Sequence, residues 1–470
     1  MESWNNRGRF FFVRKEKKGE KGFSMNKLVL GLLLGVFLSF ILSCTAPSDS
    51  SSSNKASLRP IKLSSIPEYS HPEKIQAYPL PDNISYRYRE ASPLTVLNHR
   101  LYFISPMKKG AQGLMAFDIQ KKQTLWVHKE SNDHPLLEDM AISNDHIFVC
   151  SNIWDGEIGQ DRNFIKAIDL ATGTEQWRYN LSNDKNLFST KWMAGPVYWN
   201  LQVIAMGNLT SLVDGATKDE YFTKEEFFLI GLEESSGKLL WKYPLEEEDH
   251  YDGLSLFKLM GDKLYLSKSR NKQGKSNSLD VFDLNTHKFQ QIQSIAVKDL
   301  IISEDETLFL GDTGNYGDPL VLGSLDLAQK TLIWELYQEN IPSAPKYGRY
   351  HGVFSWKDKL VFYDDYRLYT YMPQEKTSLP TLELEGLEFY AFHGAVQQED
   401  MLYLAVGPQD WNQGTTYILA FNIETQQFAW KWKLGYFVES AYVHHGMEIL
   451  NQSLYFHCTN GQVYEIPLVE

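Results

Sequence analysis

The sequence predicts an all-β fold: an eight-bladed β-propeller of four-stranded antiparallel blades, the last blade completed by an N-terminal strand. Three observations predict it. A short motif recurs with fixed internal spacing, alternating apolar runs separate its copies, and the last copy lacks a strand that the N-terminal region supplies. The clearest copies are Ala116-Phe117-Asp118 with Trp126, Ala167-Ile168-Asp169 with Trp177, and Gly231-Leu232-Glu233 with Trp241. Ser324-Leu325-Asp326 with Trp334 and Ala420-Phe421-Asn422 with Trp430 follow, and Trp always stands eight residues after the Asp-like position. Val281-Phe282-Asp283 keeps the spacing but has Gln291 in place of Trp. A motif returning every 40 to 60 residues or so marks one supersecondary unit per copy.

Each unit has the same local grammar. Alternating runs such as His146-Ile147-Phe148-Val149 and Met401-Leu402-Tyr403-Leu404 predict half-buried strands, since branched and aromatic residues on a period of two suit a pleated surface. Ala171-Thr172-Gly173 and Glu234-Ser235-Ser236-Gly237 supply turn chemistry between the last two strands. Tyr369-Thr370-Tyr371-Met372 and Val463-Tyr464-Glu465-Ile466 are weaker motif strands of a sixth and an eighth unit. Gln76-Ala77-Tyr78-Pro79-Leu80 parallels Trp241-Lys242-Tyr243-Pro244-Leu245 and is the candidate closing strand, which would remove the open edges of the array. Seven blades is the alternative if the sixth unit is not a true blade. The Trp series is expected to pack, and the Asp series to accept turn amides.

Ala167-Ile168-Asp169-Leu170-Ala171-Thr172-Gly173 with Trp177 resembles the pyrroloquinoline-quinone-type propeller repeat. The resemblance covers roughly residues 72–470. It implies that Trp126, Trp177, Trp241, Trp334 and Trp430 dock against the neighbouring blade. It also implies that Ala116, Ala167, Gly231, Ser324 and Ala420 leave them room. It implies no activity, because such folds carry enzymes and binding scaffolds alike.

Residues 1–43 form a signal-peptide region whose true start is expected near Met25, with an apolar core from Leu28 to Leu42. Ile41-Leu42-Ser43-Cys44 resembles a bacterial lipoprotein cleavage box, which implies lipidation of Cys44 and stable membrane anchoring. Thr45 departs from the inner-membrane retention signal of that class, which favours the outer membrane. An uncleaved N-terminal anchor is the alternative. Residues 44–71, with Ser50 to Ser53, are expected to be a flexible tether, and residues 72–470 the propeller. Removing residues 1–43 leaves 38 basic and 56 acidic residues, a net charge of −18. That balance disfavours nucleic acid as a partner. Cys150 and Cys458 fall in blades separated by another blade, too far apart for a disulfide, and are expected to be buried thiols.

Two groups of candidate site residues emerge. Long polar segments between the second and third strands, including 152–163, 207–226, 311–318 and 406–414, are expected to be loops on one face. They place Trp154, Asp155, Asp161, Arg162, Tyr316, Asp410 and Trp411 as contacts for a protein or glycan. Aligning the inner strands gives the series Ser92, Glu138, Ala194, Ser255, Asp299, His351, His393 and His445 at one channel mouth. His351, His393, His445, Asp299 and Glu138 then form a metal site, a pH-sensitive polar funnel, or a lining satisfied by water.

The leading functional expectation is a noncatalytic, lipid-anchored platform in the bacterial envelope, a monomer within a larger complex. It resembles the propeller lipoprotein of the outer-membrane β-barrel assembly machine. No cofactor is called for. Pyrroloquinoline quinone is disfavoured because the chain has no adjacent cysteine pair, which the quinone-dependent dehydrogenases of the resembled family carry. A metal-dependent enzyme using the three histidines is the remaining alternative.

Overall fold

Antiparallel pairing gathers the strands into eight sheets. The computed structural model describes residues 58–81, 94–106, 112–129, 136–155, 160–181, 187–212, 223–245, 254–268, 278–294, 297–302, 307–311, 320–337, 351–364, 367–385, 390–408, 415–436, 443–458 and 461–468. Blades 1 to 7 each run from an inner first strand to an outer strand in chain order, and blade 6 carries two additional short strands. Blade 2, for example, consists of Leu136–Ile142, His146–Asp155, Gln160–Asp169 and Glu175–Asn180. Blade 6 is a true blade, built on His351–Trp356, Lys359–Tyr363, Arg367–Met372 and Thr381–Glu385.

Blade 8 takes three strands from the C-terminus and its outer strand, Gln76–Pro79, from the other end of the chain. Gln76 pairs with Glu465 and Pro79 with Gln462. Pro is tolerated here because the strand is an edge.

The cores lie between the sheets. Tyr102, Ile104 and Leu114 of blade 1 pack on Ile147, Val149 and Ile168 of blade 2. Equivalent clusters fill each later seam, and Leu101, Phe103 and Phe117 of blade 1 meet Tyr455 and Val463 of blade 8. Eight sheets with a cluster in every seam, the last rejoining the first, make a closed propeller. Cys150 and Cys458 are buried in two of these clusters and form no disulfide.

In the five blades that carry the motif Trp, the small residue of the motif lies across from the indole. Ala116 pairs with Trp126, Ala167 with Trp177, Gly231 with Trp241, Ser324 with Trp334, and Ala420 with Trp430. Trp126 Nε1 then donates to the Leu170 carbonyl of the next blade at 3.2 Å, and Trp177 Nε1 to that of Glu234 at 2.7 Å. Trp241 differs. Its Nε1 donates to Gln202 Oε1 in its own blade, while its ring meets His287 of blade 4 at a centroid distance of 4.8 Å. Blade 4 has His287 where blades 2 and 3 have the turn glycines Gly173 and Gly237, so the indole meets a ring instead of a bare backbone.

The acidic series caps turns. Asp169 Oδ1 accepts from the Ala171 and Thr172 amides and the Thr172 hydroxyl, and Asp283 Oδ1 does the same for Asn285 and Thr286. Hydrogen bonds from Thr172 and from Thr286, respectively, hold the Asp169 and Asp283 carboxyls below the ordinary carboxylate range.

Alternation of strand direction gives the propeller two unlike faces. The turns joining first to second and third to fourth strands are short and share one side, the narrow-turn face. Asn98-His99, Asn200-Leu201 and Asn451-Gln452 all have positive φ, as two-residue hairpins require. Second-to-third connections and blade-to-blade links share the other side, the hairpin face.

Two expectations are corrected. The region assigned to the tether, residues 44–71, is built into the propeller from Leu58 onward. Leu58–Lys62 adds as a parallel strand outside Thr381–Glu385 of blade 6, and Glu68 bridges to Lys431 of blade 7. Ile66 and Tyr69 are buried, so this stretch has apolar anchors that the Ser-rich residues before it lack. Residues 44–57, with Cys44, lie outside the described residues.

The second correction concerns two of the long segments. Residues 152–163 are largely paired strand, Ile153 opposite Arg162, Trp154 opposite Asp161 and Asp155 opposite Gln160. Residues 207–212 pair with 223–228 in the same way. Polarity marked these segments as loops, but the backbone pairs across both of them.

Candidate functional site

The hairpin face carries a raised element. The second and third strands of blade 3, Gln202–Leu212 and Thr223–Glu233, outrun its outer strand Leu239–Pro244, which reaches only to Phe228. Blade 2 does the same with His146–Asp155 and Gln160–Asp169. The first strand of blade 3, Leu187–Trp199, abuts the first three strands of blade 2, so the two extensions stand side by side. Trp154, Asp155, Asp161 and Arg162 are thereby gathered in one ribbon. Tyr316, Asp410 and Trp411 lie outside the described residues.

The inner-strand series coincides with breaks in register. Glu138 lies in the shift between Leu137 and Met140, and Asp299 borders one after Val297. His351 borders the shift before Val353, His393 lies within that between Phe392 and Gly394, and His445 within that between Val443 and Met447. Bulges re-aim side chains and recur near functional sites. Gly394 lies against the Gly446 backbone, and a Cβ on Gly446 would come within 2.4 Å of the Leu94 amide nitrogen. The blades of His393 and His445 therefore abut at the residues after the histidines. The side chains of the five series residues are outside the described set. Among the described residues, no group of three or more His, Cys, Asp or Glu could hold a metal ion.

Two further features were missed in the sequence. Glu234 sits in the seam of blades 2 and 3, accepting from Tyr198 Oη at 2.8 Å, with His146 Nδ1 at 3.4 Å. Burial alone would raise its pKa, but hydrogen bonds from Ser143, Tyr198 and His146 hold the carboxyl below its ordinary range. The signal was present: other units have Leu or Ile after the motif acid, as in Leu170, Leu284 and Ile423, and only here does a charge follow.

The second feature is His457, stacked on Phe103 at 4.6 Å in the closing seam, where burial pushes its pKa down to about 4. With the folded pKa below the unfolded one, the unfolded chain takes up the proton first. Stability is then lost as pH falls below about 6.5. Urea unfolding should show a drop of about 2 kcal/mol between pH 7 and pH 5, an amount that His457→Phe removes while keeping the stack.

No protein-family model matches the chain, and no curated protein matches it. Solved structures do. The Dos1 propeller aligns with TM-score 0.52 at 12% identity, covering 84% of this chain and 95% of that one. The computationally designed Ika8 protein aligns with TM-score 0.50 at 12% identity, covering 82% of this chain and 98% of that one. A europium-containing methanol dehydrogenase gives TM-score 0.49 at 12% identity, covering 82% and 84%. The first two likenesses are of fold alone.

Proposed function

We propose that the protein is a noncatalytic, lipid-anchored platform of the bacterial envelope that docks a protein or glycan through its hairpin face. The observation that carries this reading is the paired ribbon of blades 2 and 3, which raises Trp154, Asp161 and Arg162 above a rigid ring. Recognition on a fixed scaffold needs such a projecting edge, and aromatic plus Arg side chains are favoured anchors. The Cys44 box supports export and anchoring, with the outer membrane favoured by Thr45. A partner in outer-membrane assembly is the specific candidate, with this protein as one monomer within the complex.

A photo-crosslinking residue placed at Asp161 in cells should give a discrete adduct, and one at Thr172 on the narrow-turn face should not. No adduct from Asp161, or the same adduct from both sites, defeats the proposal.

A second reading is favoured by the register breaks. His351, His393 and His445 would hold a divalent metal at the hairpin-side mouth. Elemental analysis of the full chain decides it: stoichiometric metal lost in His393→Ala supports this reading, and metal-free protein removes it.

A further inference from the structure

We propose that the seam between blades 8 and 1 is an ionic latch, the place where the ring opens locally and recloses. A lysine–glutamate pair and two tyrosine hydroxyls fasten it where the seams after blades 1 and 2 use an indole.

The register of the strands shows the exchange. In blade 1 Trp126 pairs with Ala116, and in blade 2 Trp177 pairs with Ala167. Blade 8 has Gln76 at the place of the Trp and Glu465 at the place of the small residue, and these two pair with each other. Blade 4 also lacks the Trp, but it keeps apolar Val281 in the small-residue slot. The acid therefore belongs to the closing seam and does not simply accompany a missing indole.

The blade that receives the contact is altered to match. Lys122 holds the left-handed turn position that Gly173 and Gly237 hold in blades 2 and 3. A glycine there gives room to an incoming ring, whereas Lys122 reaches back to the blade before it. Its ammonium donates to Gln76 Oε1 and lies 3.8 Å from Glu465 Oε2. The same ammonium lies 5.4 Å from the centre of the Tyr78 ring, which packs on Phe117 of blade 1. Glu465 is otherwise enclosed by hydroxyls, with Tyr455 Oη donating to Oε1 at 3.0 Å and Tyr78 Oη to Oε2 at 2.5 Å.

This fastening differs from an indole in strength and in what it responds to. The Lys122 side chain is 44% exposed, and an ion pair so open to water is weak and is screened by salt. Burial of an aromatic ring owes little to ionic strength. The strand being held is also short. Gln76–Pro79 is exposed at every residue except Tyr78, which is half-buried, and the Leu80 amide adds one bond to the Gly461 carbonyl at 2.7 Å. Segments with few buried contacts and exposed backbone hydrogen bonds open first. Release stays local, because Lys431 holds the Leu63 and Ile66 carbonyls on blade 7 and Thr95–Leu97 continues the chain in blade 1. The strand is thus kept beside its place and returns to it. While it is away, Gln462–Pro467 becomes the free edge of blade 8.

Hydrogen exchange of the full chain, read as protection factors by segment, tests the latch. Residues 76–80 are compared with Glu175–Asn180, the outer strand that Trp177 fastens. Residues 76–80 should be about ten-fold less protected, and raising the salt from about 0.05 M to about 1 M should lower their protection several-fold further. Lys122→Met should reproduce that loss at low salt and abolish the salt response, with residues 175–180 unchanged. Equal protection of the two strands overturns the proposal. So does a closing strand whose exchange is indifferent to salt or to Lys122→Met.

Discussion

Replacing Lys431 by methionine should destabilise the protein by roughly 3 kcal/mol and release residues 58–71 to protease. Lys431 lies in the outer strand of blade 7, and its side chain is only 8% exposed. Its Nζ donates to the carbonyls of Leu63 and Ile66 at 2.8 and 2.9 Å and meets Glu68 Oε1 at 3.2 Å. Its backbone amide donates to the Pro67 carbonyl, and its own carbonyl accepts from the Tyr69 amide. One residue thus fastens the segment by both main chain and side chain. Methionine keeps the volume but strands two carbonyls, each costing about 1–3 kcal/mol when buried and unsatisfied. Tyr69 lies on Trp430 and donates to the Pro467 carbonyl, so the loosened segment also weakens blade 8. Urea denaturation gives the size of the effect, and limited proteolysis its place. An unchanged midpoint, or cleavage no faster than in wild type, would show that the strand pairing of Leu58–Lys62 holds the segment without the lysine.

Gly173→Ala should cost about 3 kcal/mol, and most of that cost should vanish when Trp126 is also removed. The turn position occupied by Gly173 is left-handed in seven units, at Lys122, Gly173, Gly237, His287, Lys330, Lys376 and Gln426. Five non-glycine residues accept that backbone, so φ alone accounts for about 1 kcal/mol. The indole accounts for the rest. A Cβ at Gly173 would lie 2.5 Å from Trp126, and one at Gly237 would lie 2.4 Å from Trp177. Both glycines sit where the preceding blade delivers its Trp. Trp126→Leu alone leaves a cavity in the first seam and is itself costly. The informative quantity is therefore the double-mutant cycle, where Gly173→Ala in the Trp126→Leu background should fall to about 1 kcal/mol. Additive costs would show that the glycine serves the turn and not the indole.

Most of the architecture was legible because a propeller repeats its sequence as it repeats its blades. The sixth blade could be found without a Trp, since Tyr369 and Tyr371 keep the alternation. The closing strand could be found because Gln76-Ala77-Tyr78-Pro79-Leu80 parallels Trp241-Lys242-Tyr243-Pro244-Leu245, sharing Tyr, Pro and Leu at the same places. What the repeat did not encode was harder to see. Leu58–Lys62 pairs in parallel across more than 300 residues, and its five-residue sequence has neither alternation nor a partner motif. Lys431 reads as an ordinary surface lysine of an outer strand; only the segment laid over it makes it buried. The ribbons of blades 2 and 3 read as loops because their polar sequences show no apolar period of two. Of the candidate site, strand placement and register breaks were within reach of an alignment of units. Which side chains converge at a mouth depends on the tilt of neighbouring sheets, which no single repeat specifies.

The pairing of Gln76 with Glu465 joins one of the first parts of the molecule to be synthesised with one of the last. Until the ribosome has released the final forty residues or so, the opening blade has no neighbour on one flank. Leu101, Phe103 and Phe117 stay wet for that time. At roughly 5–20 residues per second of synthesis, this greasy flank stays uncovered for many seconds. Truncation of even the last ten residues should accordingly be more harmful than its small share of the mass suggests.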